Sequence, residues 1–120
     1  MLLKSVEEVP APKVSVVVPV CNSEAFIGSC LSHVLQQTLQ GIEVVCVDDG
    51  SIDESARIVG EFAQRDARVR LIRQENAGPG PARNAGIRAA HGRFVAFLDA
   101  DDRYSSDDYL RVLVDGAETN

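Results

Sequence analysis

The chain has 120 residues, 45% of them hydrophobic, which is enough for the core of one domain or part of one and too much for a disordered segment. A net charge of −6 and a pI near 4.8 argue against a nucleic-acid binder, which carries a basic face or stripe. Cys21, Cys30 and Cys46 form no CxxC pair and cannot all be paired within one chain, so a reduced, cytosolic setting is expected, not a disulfide scaffold or structural zinc.

Residues 1–12, with Glu7, Glu8, Pro10 and Pro12, read as an arm outside the core, and residues 13–120 as the domain. The start resembles no signal peptide, and no apolar run approaches a membrane span. Val14 to Val18 is a β-branched run stopped by Pro19, a first buried strand. Asn22 or Ser23 then caps a helix whose Phe26, Ile27, Cys30, Leu31, Val34 and Leu35 share one face. Ile42 to Val47 is a second strand, ended by Asp48-Asp49-Gly50-Ser51. Ser51 and Glu54 have capping-box spacing, which predicts a helix with Ile58, Val59, Phe62 and Ala63 inward. Val69 to Ile72, interrupted by Arg70, predicts a strand near the sheet edge. Glu75 to Pro81 is a loop by composition, followed by a helix from about Ala82 to Ala90 with Gly92 as its C-cap. The apolar run Phe94 to Leu98 predicts a buried fourth strand that stops at Asp99, Asp101 and Asp102. Ser105 or Ser106 caps a last helix carrying Tyr109, Leu110, Leu113 and Val114.

Alternating strands and helices predict an α/β fold, a Rossmann-like open, mainly parallel sheet with helices on both faces. Right-handed crossovers give the strand order 3-2-1-4. Three strand ends then meet at the switch point: Pro19 to Asn22, Asp48 to Ser51, and Asp99 to Asp102.

Carboxylates packed like Asp99, Asp101 and Asp102 repel: at about 6 Å and an effective dielectric of about 20, each pair costs roughly 3 kcal/mol. A divalent metal with hard oxygen ligands offsets this, and such metals usually take phosphate oxygens as remaining ligands. The plainer reading of both acid clusters is a polar strand end with a turn or a capped βα turn. In the functional reading one carboxylate of Asp48-Asp49 serves a base or ribose; a carboxylate accepts the imide N–H of uracil. Arg83 and Asn84 open a helix and are candidates to reach a diphosphate, against the plainer reading of a solvated helix face. Gly78-Pro79-Gly80 is no dinucleotide fingerprint, because no suitable strand-to-helix turn follows it and its prolines remove donors. The arginines from Arg65 to Arg93 read as a solvated edge, and His33 and His91 as structural.

Taken together, Val14 to Pro19 with Asn22, Gln37-Thr38, Glu43 to Ser51 with Asp53, Asn76 to Gly78, Ala82 to Gly86, Gly92 and Phe97 to Asp102 closely resemble the family 2 glycosyltransferases with the GT-A fold. The resemblance implies transfer of a sugar from a nucleotide diphosphate donor, a UDP-sugar, to a saccharide or other hydroxyl acceptor, with inversion and with Mn²⁺ or Mg²⁺. It implies that Pro19 lines the nucleobase pocket, that Asp49 contacts the base with Asp48 beside it, and that Asp99, Asp101 and Asp102 bind ribose, metal and diphosphate. Many members have an aromatic residue before the Asn for stacking on the base; here it is Cys21. The family's general base lies well beyond its Asp-x-Asp, and no residue up to Asn120 matches that role. The expectation is the donor-binding part of the GT-A domain, truncated before the acceptor half, inactive alone, cytoplasmic, with a parent protein at the inner membrane face and a homo-oligomer among its possible states. The rival from another class is a non-catalytic nucleotide-sugar-binding or assembly module on the same fold. A phosphoacceptor domain would need its acid pair after the first strand, and an Asp-x-Asp phosphohydrolase its motif there too; neither pattern is present.

Overall fold

A computed structural model describes residues 11–119, so most of the predicted arm, residues 1–10, lies outside the described residues. The element order is β1 (Val14–Val20), α1 (Ile27–Val34), β2 (Ile42–Asp49), α2 (Ser55–Arg65), β3 (Val69–Gln74), α3 (Pro79–Ala89), β4 (Phe94–Phe97) and α4 (Tyr109–Thr119). All strand pairs are parallel and the sheet order is β3-β2-β1-β4, as the crossover rule predicts. Among the described residues no helix is long and apolar enough to cross a membrane.

Side chains alternate across the sheet. Val16, Val18, Val44 and Cys46 face a core with Ile27 and Leu31 of α1, Val59 of α2, and Leu110 and Val114 of α4. Val45 and Val47 face α3 through Ala82, Ala85 and Ala89. Helices therefore cover both faces, but unequally. One helix of small residues cannot cover the whole sheet, so on the α3 side Val95 and Phe97 are left 38% and 46% exposed. The expectation of a buried fourth strand is corrected: β4 is half-buried and lies at the sheet end.

Pro19 does not stop β1; it pairs within it, opposite Val47. Val17 O accepts from Leu98 N, so Pro19, two residues on, turns its missing N–H to the side where β4 has already ended.

The helix starts also differ from expectation. Neither Asn22 nor Ser23 caps α1 by its side chain, and α1 begins at Ile27; the Ser23 carbonyl accepts from Phe26 and Ile27 N–H. Ser51 does not box α2: its hydroxyl accepts from Asn22 N, while Asp53 takes Ser55 N and Glu24 N. Asn22 Oδ1 in turn accepts from Ile52 N, so the β1–α1 and β2–α2 loops are laced together. Ser105 and Ser106 give way to Gln37, whose Oε1 accepts from Leu110 N while its amide donates to Ser106 O. A buried side chain from α1's end thus sets the start of α4.

Helix α3 begins at Pro79, inside the expected loop, because prolines in a first turn remove N–H groups that have no helical partner there. Gly92 is no C-cap; α3 ends at Ala89. It is needed for close approach, since a Cβ there would lie 2.6 Å from Ser15 N. Arg70 is no solvated edge residue either. Its guanidinium donates to Glu43 Oε1 at 2.9 Å and to Ala89 O at 2.8 Å, tying β3 to β2 and to the end of α3.

Candidate functional site

The carboxyl ends of β1, β2 and β4 and the first turns of α3 enclose a cleft of about 560 Å³. Pro19 and Cys21 line it from β1, Asp49 from β2, Arg83 from α3, and Asp99 and Asp101 from the turn after β4. Residues 21, 49, 83 and 101 are far apart in sequence; the parallel topology brings them to one rim.

Asp49 is buried and carries the most ordered carboxylate of the cleft. Oδ1 accepts from Gln74 Nε2 at 2.9 Å and Ala77 N at 2.7 Å, and Oδ2 from Gly78 N at 2.9 Å. It holds the loop that launches α3. Asn76 completes the tie, its amide donating to Asp49 O and lying 3.5 Å from Cys21 Sγ. Gly50 closes this corner at φ +72°, where a Cβ would sit 2.8 Å from Asn76 N. Gly78-Pro79-Gly80 does occupy a strand-to-helix turn, against the sequence expectation, although its prolines still deny it the donors of a phosphate cradle.

Asp48 lies off the cleft. Strand alternation points it away from Asp49, toward the α2 face; it is fully buried, with Oδ2 accepting from Arg73 Nε at 3.4 Å. Among the described residues its Oδ1 has no hydrogen-bond partner. Asp102 also stands outside the cleft lining: Oδ1 accepts from Arg103 N, and the side chain borders neighbouring depressions with Arg103. Asn84 is exposed and away from the cleft, one position past Arg83 in the second turn of α3.

Arg83 pairs with the exposed acids, its Nη2 lying 3.6 Å from Asp99 Oδ1. Beneath them Cys30 donates to Asp99 O, and burial first, then the charges of Asp102, Asp101 and Asp99, push its thiol up to about 12. Cys30 and Cys46 are buried, protonated and inert, while Cys21 is exposed at the rim. Sequence reasoning missed Phe26 as a cleft residue. Its place in the apolar face of α1 pointed inward, yet it precedes the first helical residue and stands 53% exposed at the cleft mouth.

Two depressed carboxyls predict the acid response. Hydrogen bonds from Gln74, Ala77 and Gly78 hold Asp49 below its ordinary value against burial. At Glu43 burial opposes ionisation most, but Ser15, His91 and Arg70 outweigh it and lower the value. A folded pKa below the unfolded one, about 4, gives stability that is present above that pH and lost as pH falls through the folded value. Thermal melts should hold steady from pH 7 to about 5 and drop below about 4. A midpoint unchanged down to pH 3 would contradict the assignment.

The family description "Glycosyl transferase family 2" matches residues 15–120. The chain belongs to that family. Among its relatives, the glycosyltransferase EpsJ of Bacillus subtilis (strain 168) is 47% identical over 91% of this chain. The S. aureus protein TarS, residues 1–349 in complex with UDP-GlcNAc, has a TM-score of 0.80 at 33% identity over 89% of this chain. The mannosyltransferase PcManGT from Pyrobaculum calidifontis, in complex with GDP-Man and Mn²⁺, has a TM-score of 0.72 at 30% identity over 84%. This family 2 chain spans 31% of EpsJ, 31% of the TarS 1–349 chain and 31% of the PcManGT chain. Its sheet and helices are those expected of the N-terminal part of the GT-A fold.

Proposed function

We propose that this chain is the nucleotide-sugar-binding part of a glycosyltransferase and takes its donor in the cleft between Pro19, Asp49 and Asp99. The observation that carries the reading is the meeting of three strand ends on one cleft, in a family 2 chain similar to proteins seen with UDP-GlcNAc and with GDP-Man.

Asp99 and Asp101 are exposed hard oxygen donors beside Arg83. Among the described residues no three metal-binding side chains gather at one point, so an all-protein cage does not fit. Two carboxylates do fit a cation such as Mg²⁺ or Mn²⁺ that draws further oxygens from phosphates and water. When bound, such a cation supplies Lewis-acid stabilisation of a leaving diphosphate. Arg83 exchanges its contact with Asp99 for a phosphate oxygen, a charge-assisted bond. Asp49 keeps the α3 loop in place while Pro19 forms an apolar wall for the base. The donor in this reading is a UDP-sugar, passed with inversion to a hydroxyl acceptor whose proton a general base removes. Asp48 and Asp102 act indirectly, Asp48 through the β2 end and Asp102 through the acid turn. The free cysteines suit a reducing cytoplasm.

The test is calorimetric titration with UDP, and with GDP as control, each with and without Mn²⁺. Metal-dependent UDP binding is expected, and Asp101→Asn should weaken it by about tenfold, near 1.4 kcal/mol, with an unchanged melting temperature. Equal affinity in mutant and parent, or no nucleotide binding by the folded parent, would overturn the reading.

A further inference from the structure

Asp99, Asp101 and Asp102 stand on a segment, residues 98–108, that crosses from β4 to α4 with neither helix nor strand to fix it. Their like charges repel, so the segment left to itself opens out. Helix α1 and the turn after it hold it at both ends. At the near end Cys30 Sγ donates to Asp99 O at 3.7 Å. At the far end Gln37, 4% exposed, donates from Nε2 to Ser106 O at 2.7 Å and accepts at Oε1 from Leu110 N at 2.9 Å. Thr38 adds two more bonds, N to Asp107 O at 2.8 Å and Oγ1 to Asp108 Oδ1 at 2.6 Å. Cys30, Val34 and Gln37 follow at steps of four and three, and Gln37 N donates to Val34 O, so both anchors lie along one stripe of one rigid element.

Capping alone does not call for this glutamine. A helix start needs an acceptor, and Ser105, Ser106 and Asp107 stand next to α4 in the chain with oxygens to offer. Gln37 comes instead from 73 positions away, and its amide N–H serves no helical group of α4. That second bond fixes where the acid-bearing segment arrives. We propose that Gln37, with Thr38 beside it, is a positioning residue of the donor site: the pair clamps the segment to α1 and keeps Asp99 and Asp101 gathered for a divalent cation and its diphosphate. The inference rests on the donor reading given above. Gln37 does not line the cleft and acts through the Ser106 carbonyl. The gain is preorganisation, since carboxylates already gathered need not be brought together when the cation arrives.

Gln37→Met keeps the length of the side chain and loses both hydrogen bonds. In calorimetric titrations with UDP at a series of Mn²⁺ concentrations, the Mn²⁺ concentration that half-restores binding should rise about tenfold in this variant. Saturating Mn²⁺ should bring its UDP affinity back to within about threefold of the parent, because excess cation gathers the acids that the clamp no longer holds. In the metal-free chain, backbone amides of residues 101–108 should exchange hydrogen faster. Val114→Ala, which loosens α4 in the core without touching the clamp, is the stability control: it should lower the melting temperature and leave the Mn²⁺ requirement unchanged. Thr38→Val, at an exposed position, should remain folded and shift the Mn²⁺ requirement in the same direction by about threefold. It decides the question if Gln37→Met does not fold. An unshifted Mn²⁺ requirement in a folded Gln37→Met chain, or in Thr38→Val, overturns the proposal while the donor reading stands. So does a Val114→Ala chain shifted as far as Gln37→Met, which would leave Gln37 only the start of α4 to serve. A folded parent with no Mn²⁺-dependent UDP binding overturns the donor reading and this inference with it.

Discussion

Glu43→Ala should lower the unfolding free energy by about 3 kcal/mol, the range expected when one partner of a buried ion pair is removed. The side chain is 8% exposed, at the second residue of β2, where an acid interrupts an otherwise apolar run. It is tolerated there because every face of the carboxylate is occupied. Ser15 Oγ and His91 N donate to Oε2, and Arg70 donates to Oε1. Removing it strands the hydroxyl of Ser15 and the guanidinium of Arg70, and it frees the turn that leads into β4 at Gly92, whose N–H donates to Ser15 Oγ at 2.8 Å. Arg70 is one-third exposed and recovers some hydration, which keeps the loss at the lower end of that range. Urea denaturation of parent and mutant measures it. A difference below about 1 kcal/mol would mean that the cluster is merely a solvated ion pair. Glu43→Gln should recover only part of the loss, since it keeps one acceptor oxygen but loses the charge and sets an amide NH2 against the donors of the other oxygen.

Gly86→Ala should destabilise by about 2 kcal/mol, lowering the melting temperature by roughly 10 °C. Two effects oppose each other. Alanine in a helix interior gains about 1 kcal/mol over glycine. Against that, a Cβ at Gly86 would lie 2.3 Å from Val17 Cγ1, and Val17 is fully buried on the central strand. A β-branched side chain has no alternative rotamer to retreat into, so α3 must lift off the sheet, an overpacking cost of about 3 kcal/mol. Because Arg83 lies on the same helix, the UDP binding proposed above should weaken with it. Gly60→Ala in α2 is the control: a Cβ there meets nothing within 4 Å, so only the helix-propensity gain remains and stability should rise by about 1 kcal/mol. Calorimetric melts of the two mutants should move in opposite directions. If both rise, the close approach of α3 to β1 is not what selects glycine at position 86.

The strands, their order and the meeting of Pro19, Asp49, Asp99 and Asp101 at one edge were legible in the sequence. β-branched apolar runs mark buried parallel strands locally, and the crossover rule converts their order into a topology without knowledge of contacts. What the tertiary structure alone decided was which backbone group finds which partner. Gln37 displaces the serines before α4, Asp53 displaces Ser51 before α2, and Pro19 sits inside β1 because its neighbour strand has ended. A run of acids shows that carboxylates cluster, yet it does not show which of two adjacent ones faces the cleft. Strand alternation turns Asp49 inward and Asp48 away, and the bend after β4 leaves Asp102 outside beside Asp101. Hydrophobic pattern acts through burial, which a residue's own neighbours in sequence foretell. Capping, ion pairing and the close approach at Gly86 and Gly92 depend on distances between atoms remote in sequence, and only the folded chain sets those.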